Sequence, residues 1–104
     1  MKIAVSATGG SLDAEVEPRF GRCAYFVIVD AETMLMEAPE NPGAAASGGA
    51  GPQAAQTLKQ RGVEVVLTGQ VGPNAQGALD TAGIKVVSGV SGKVRAAVEA
   101  YQAS

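Results

Sequence analysis

An α/β fold built on a mixed sheet is predicted, and three observations predict it. Short apolar runs of strand length alternate, over the C-terminal two thirds of the chain, with stretches whose apolar residues recur at helical spacing. Two strand-like runs nearer the N-terminus are separated only by the polar connection Asp30-Ala31-Glu32-Thr33, which joins them as a hairpin. The stretch Val65-Val66-Leu67-Thr68-Gly69-Gln70-Val71-Gly72-Pro73-Asn74-Ala75 then passes from an unbroken apolar run through glycines into a proline-opened helix. That is how a buried parallel strand hands over to a helix N-terminus.

The elements follow in order. Lys2 to Ser6 is a first strand, closed by the small residues Thr8-Gly9-Gly10-Ser11. Leu12 to Pro18 is acidic and ends in proline, so the glycines do not lead into a helix and a dinucleotide fingerprint is absent. Tyr25 to Val29, rich in β-branched and aromatic residues, is a second strand ended by Asp30. Met34 to Ala38 reads as a third, stopped by Pro39. Glu40 to Pro52, with its glycines and alanines, reads as a mobile loop. Helical periodicity resumes at Ala54, Ala55 and Leu58, and Gly62 is placed to end that helix. Glu64 to Thr68 is strand four, and the helix from Pro73 buries Ala75, Ala78, Leu79 and Ala82 before Gly83. Ile84 to Val87 is strand five. A last helix starts near Ser91, a candidate cap, and lays Val94, Ala97, Val98 and Tyr101 on one face.

Composition narrows the function. A chain of 104 residues that is 46% hydrophobic holds one core, so a single domain over residues 1–104 is expected. Aromatics make up 4% and the net charge is -2, which argues against a stacking platform or an electrostatic track for nucleic acid. With one Cys and no His, neither an internal disulfide nor a Cys/His zinc site can be assembled. No apolar run approaches membrane-spanning length, and the brief first strand does not read as a signal peptide, so a cytoplasmic address is expected.

Topology gathers the polar signals. If the second strand runs antiparallel to the first, its start lies at the same edge as the ends of strands one and four. Arg19 and Arg22, the loop from Ala7 to Leu12, the turns Gly69 to Asn74 and Ser88 to Gly92, and three helix N-termini then share one rim. Free N–H groups, helix dipoles and two guanidiniums make such a rim an anion trap. The expected site is the crevice beside strands one and four.

R-F-G-R-C at Arg19 to Cys23, V-L-T-G-Q-V-G-P-N-A at Val66 to Ala75 and A-G-I-K-V at Ala82 to Val86 together resemble the dinitrogenase iron-molybdenum cofactor biosynthesis family. That family includes NifX, the C-terminal region of NifB and a carrier of a mixed molybdenum-copper sulfide cluster. The resemblance implies a ribonuclease H-like motif, β-β-β-α-β-α-β-α, whose five-stranded sheet has the order 3-2-1-4-5 with strand two antiparallel and helices on both faces. It implies a non-enzymatic protein that holds or transfers a molybdenum-copper sulfide or related iron-molybdenum-sulfur cluster, with no nucleotide. Cluster donor and acceptor proteins are the implied partners, to the exclusion of nucleic acid and membrane, and a monomer is expected. The cofactor-binding candidates are Thr8, Gly9, Arg19, Phe20, Gly21, Arg22, Gly69, Gly72, Pro73 and Asn74. One departure is that many members read S-H-G-A-G where this chain has Ser47-Gly48-Gly49-Ala50-Gly51, so no histidine ligand is available there.

Plainer readings stand beside these. The Gly69 to Ala75 turn can be a tight βα connection, Arg19 and Arg22 can serve solubility or pair with Glu15 or Glu17, and Phe20 can be a core plug. Cys23 reads first as a small buried hydrophobe; facing the crevice beside two arginines, it would be a thiolate ligand for copper. Met34 and Met36 could be offered to copper, but a hydrophobic hairpin strand accounts for them. Asp13, Glu15 and Glu17 are a solvated loop, since the first strand carries no carboxylate to complete a two-metal site. A phosphate or nucleotide binder using the same helix N-termini, and an interaction module without prosthetic group, are the competing functions.

Overall fold

In a computed structural model that describes residues 1–45 and 49–104, the chain runs β1 (Lys2–Ala7), β2 (Tyr25–Asp30), β3 (Met36–Glu37), α1 (Ala50–Gln60), β4 (Val63–Leu67), α2 (Pro73–Thr81), β5 (Lys85–Val87) and α3 (Val94–Ala103). Short 3-10 turns cover Phe20–Arg22 and Pro42–Ala45. The sheet order is β3-β2-β1-β4-β5. β2 is antiparallel to both its neighbours, whereas β4 is parallel to β1 and to β5. This is the topology the family resemblance implies, and β2 is antiparallel to β1 as the gathering of the polar signals at one rim requires.

Alternation along the strands divides the core in two. Ala4, Ile28 and Val66 face one way, against Ala54, Ala55 and Leu58 of α1 and Ala75 and Leu79 of α2. Ile3, Val5, Val27, Val29, Val65 and Leu67 face the other way, against Val94, Ala97 and Val98 of α3. Because both faces are covered, the central strands are apolar at nearly every position rather than alternating with polar residues. Leu58 and Leu79 are fully buried, and truncating either to alanine is expected to cost about 2–5 kcal/mol.

The structure corrects several element boundaries. α1 begins at Ala50, not near Ala54, after Gly49 in the left-handed region at φ 71°. Pro52 therefore lies inside the first turn, where its missing N–H costs nothing because that turn has no acceptor for it. Of the expected mobile loop, Pro42–Ala45 forms a 3-10 turn, while residues 46–48, including Ser47 and Gly48 of the segment without histidine, lie outside the described residues. Ser91 does not cap α3. Lys93 stands at the cap without a side-chain bond, and the first turn is satisfied by loop carbonyls, Val94 N–H donating to Ala14 O and Arg95 N–H to Leu12 O, both at 2.9 Å.

The third strand is the largest correction. Only Met36–Glu37 pair with β2, because the chain ahead of them is folded into a turn. Met34 N–H donates to Asp30 O at 2.8 Å, and Asp30 N–H donates to Leu35 O at 2.9 Å. Asp30 Oδ1 accepts from Glu32 and Thr33 N–H, which holds that carboxyl below its ordinary pKa. Met34 takes φ 62°, in the left-handed region that suits glycine or asparagine rather than a long side chain. Met34, Leu35 and Met36 are 55%, 73% and 42% exposed, so a buried hydrophobic hairpin strand does not account for them. Met34→Gly should relieve the backbone and raise stability by up to about 1 kcal/mol in urea titration. A loss of stability would show that the methionine side chain holds the turn.

Candidate functional site

The antiparallel β2 brings the chain ahead of it to the edge where β1 and β4 end. There the Arg19 segment is bound directly to the turn after β4. Gln70 N–H donates to Pro18 O at 2.7 Å, Phe20 N–H donates to Gln70 O at 3.2 Å, and Arg19 and Gln70 form a parallel bridge. Gly69 permits this approach, since a Cβ there would stand 2.6 Å from Pro18 Cα. Phe20 is 1% exposed with its ring 5.4 Å from that of Phe26, so it is a core plug that anchors the lip from beneath.

Two helix starts meet the same lip. A Cβ on Gly21 would lie 2.9 Å from Gly51 N, and a Cβ on Gly51 would lie 2.6 Å from Ala75 Cβ. The Arg19 to Arg22 turn is thus packed backbone to backbone on the first turn of α1, whose Gly51 in turn packs against the Ala75 methyl in the first turn of α2. Beside this seam lies a cleft of about 300 Å³ lined by Gly21, Arg22, Gly49 to Pro52 and Gly72 to Ala75. A hollow of about 380 Å³ adjoins it, lined by Arg19, Phe20, Gly21, Gln70, Val71 and Gly72. α2 starts its internal bonding with Gln76 N–H donating to Gly72 O, which leaves the N–H groups of Asn74 and Ala75 ahead of the ladder. Gly72 has an ordinary φ of -73°, and a Cβ there would meet nothing within 4 Å. Chain packing therefore does not require glycine at that position.

The guanidiniums stand at this edge with partners that leave them exposed. Arg19 Nε reaches Glu17 Oε1 at 3.3 Å, a pair that solvent screens and that contributes little to stability. Arg22 Nη1 donates to Ala44 O at 3.4 Å and lines the cleft. Of the ten candidates, Arg19, Phe20, Gly21, Arg22, Gly72, Pro73 and Asn74 line the cleft or the hollow, and Gly69 shapes the lip. Thr8 and Gly9 line neither: Thr8 is bound within its own loop, N–H to Glu15 O at 3.0 Å and Oγ1 accepting from Glu15 N–H at 3.2 Å. The expected third positive pole is also missing, since α3 spends its first N–H groups on Leu12 and Ala14.

Cys23 lies in the core at 0% exposure, and burial pushes its thiol up from 9.0 to about 12. It is a protonated core thiol and does not face the crevice. The unfolded chain releases this proton near its ordinary pKa while the folded chain keeps it, so stability present below pH 9.0 falls as pH rises toward 12. Near pH 10 the loss should be about 1.4 kcal/mol, and Cys23→Ser should flatten that slope in urea titrations across this range. An equal slope in the variant would sink the assignment.

Asn41 is the residue that sequence reasoning missed. It is 5% exposed, and its Nδ2 donates to Gly21 O at 3.1 Å and Cys23 O at 3.0 Å while Oδ1 accepts from Gly43 N–H at 3.0 Å. One amide therefore ties the Arg19 to Cys23 segment to the turn ahead of α1. Asn-Pro-Gly, a turn-initiating run, was its only signal. Beneath the lip, the buried Ser6 hydroxyl donates to Glu17 O at 2.7 Å and so accepts from Thr68 Oγ1, also at 2.7 Å, joining β1 to the end of β4.

Among the described residues no group of three or more His, Cys, Asp or Glu is placed to hold a metal ion, and no helix is long and apolar enough to cross a membrane. The family model described as dinitrogenase iron-molybdenum cofactor matches residues 1–104. Among solved structures, the apo form of the orange protein from Desulfovibrio gigas shares 50% identity over 98% of this chain and 87% of that one, with a TM-score of 0.95. A putative NifB protein from Thermotoga, solved by NMR, shares 37% over 99% of this chain and 88% of that one, with a TM-score of 0.87. A putative dinitrogenase from Methanocaldococcus jannaschii, at 14% identity over 96% and 89% and a TM-score of 0.62, is alike in fold alone. Comparison with the curated proteins finds no match.

Proposed function

The chain belongs to the dinitrogenase iron-molybdenum cofactor family, and from that premise we propose that it holds a preformed anionic metal-sulfur cluster at the rim and passes it between donor and acceptor proteins. The observation that carries this reading is the seam at Gly21, Gly51 and Ala75, which sets the starts of α1 and α2 side by side against the arginine-bearing turn. Two positive helix poles and two guanidiniums then surround backbone that a bulky, diffuse anion can reach. Such a cluster, of the molybdenum-copper sulfide or iron-molybdenum-sulfur type, brings its own sulfides. Retention by N–H groups, guanidiniums and apolar contact asks for no protein thiolate, consistent with Cys23 lying in the core. Among the described residues nothing at the rim supplies a base, a nucleophile and an orienting group together, in keeping with a cluster that is cargo and not an agent of turnover.

Reconstitution with tetrathiomolybdate and copper tests this. Charge-transfer bands that co-elute with the protein are expected, and the double change Arg19→Ala with Arg22→Ala should abolish them with the fold intact. Gly72→Ala separates binding from packing: stability should change by less than about 0.5 kcal/mol, whereas cluster affinity should fall about tenfold. Retention unaltered in both variants would place the cargo elsewhere. Saturable nucleotide binding at the rim, without cluster uptake, would assign it to phosphate instead.

A further inference from the structure

We propose a second metal site, for Cu(I), at the corner of the sheet opposite the rim, with the thioethers of Met34 and Met36 as ligands and that of Met1 as a third. The inference does not rest on the cluster reading, and none of its residues touches the cleft. The chain has 3 methionines. All of them lie at this corner, and all are exposed, Met1 by 39%, Met34 by 55% and Met36 by 42%.

Pairing places them on the same face. Met36 stands opposite Val29, which packs on the α3 side of the sheet. Met1 O accepts from Ala31 N–H at 2.8 Å, continuing the β1 to β2 ladder, and Ala31 also packs on the α3 side. Met34 Sδ accepts from Gln102 Nε2 at 3.9 Å, which sets it beside the last turn of α3. The charged groups of the neighbourhood divide by face: Lys2 Nζ donates to Arg61 O and Glu37 pairs with Arg61 on the α1 side, while Glu32 pairs with the N-terminal ammonium.

Two features favour a soft cation here. Neutral thioether ligands select Cu(I) over harder divalent ions. The C-terminal end of α3 carries the negative pole of the helix, which attracts positive charge. Met34, the one described non-glycine residue at positive φ, sits in the turn its N–H closes on Asp30 O, which fixes its position beside α3.

The test uses the whole chain under reducing conditions, with Cu(I) competed against a chromogenic chelator and Ag(I) as a redox-inert probe. One Cu(I) per chain is expected, and Ag(I) should shift the methionine ε-methyl resonances in methyl-labelled protein. Met34→Leu with Met36→Leu keeps the apolar volume and should weaken Cu(I) binding about tenfold or more. Cys23→Ser should bind as the parent does, as should the Arg19→Ala, Arg22→Ala rim variant, so that failure of this site and failure of the cluster reading are told apart. Unmoved methyl resonances, binding that survives in the double leucine variant, or binding lost with Cys23 would each overturn the proposal.

Discussion

Asn41→Ala is expected to destabilise the fold by about 3 kcal/mol or more, the largest effect of any polar substitution outside the strands. The change deletes the donor to Gly21 O and Cys23 O and the acceptor of Gly43 N–H, leaving two buried groups, Cys23 O and Gly43 N–H, and the part-buried Gly21 O without that partner. An unmade bond of this kind costs the full desolvation of the orphaned group, about 1–3 kcal/mol each before relaxation. Asn41→Asp should be at least as severe, because a carboxylate oxygen would then face two carbonyl oxygens. Urea titration measures both. Losses below about 1 kcal/mol would mean that water replaces the amide and that the segment is not held as described. Cluster uptake should fall with stability in these variants, in contrast to Gly72→Ala.

Gly69→Ala should be the second most damaging change, at about 2–4 kcal/mol. Its Cβ would lie 2.6 Å from Pro18 Cα, 2.7 Å from Pro18 O and 2.9 Å from Pro18 Cβ, mostly rigid backbone already bonded to Gln70 N–H. The overlap can be relieved only by separating the Arg19 segment from the turn after β4. Amide exchange at Phe20 and Gln70 should therefore accelerate more than at β1. Gly72, three residues on in the same turn, has open space around its Cβ, and the alanine there should be silent in stability. If the two substitutions cost the same, the distinction between a glycine required by packing and one that packing does not require fails.

Much of this architecture could be read from the letters because its signals are local. The apolar run from Val65 to Leu67 is buried on both faces, and the proline that opens α2 sits where a missing N–H does no harm. The hairpin makes strands two and three antiparallel, but the order of the sheet and the antiparallel pairing of β2 with β1, which bring Arg19 and Arg22 to the Gly69 to Asn74 turn, are implied by the family resemblance and not by spacing alone. Other features depend on partners distant in sequence and leave little trace. Pro52 looks like a loop residue unless α1 is known to start at Ala50. The α3 cap is a pair of carbonyls at Leu12 and Ala14, which no pattern near Ser91 reveals. Asn41 sits in a stretch of glycine, proline and alanine that reads as soft, yet its amide holds the lip. Thr8 and Gly9 have the composition of a binding loop and are occupied instead with Glu15 and Ala14.

The two outer strands of the sheet are its shortest, with two residues in β3 and three in β5. Each offers a neighbouring molecule too few unpaired amides to start a shared ladder, and Lys85 adds an exposed charge to one of them. Despite its apolar central strands, the chain is therefore protected against edge-to-edge polymerisation, and concentrated solutions should remain free of fibrils.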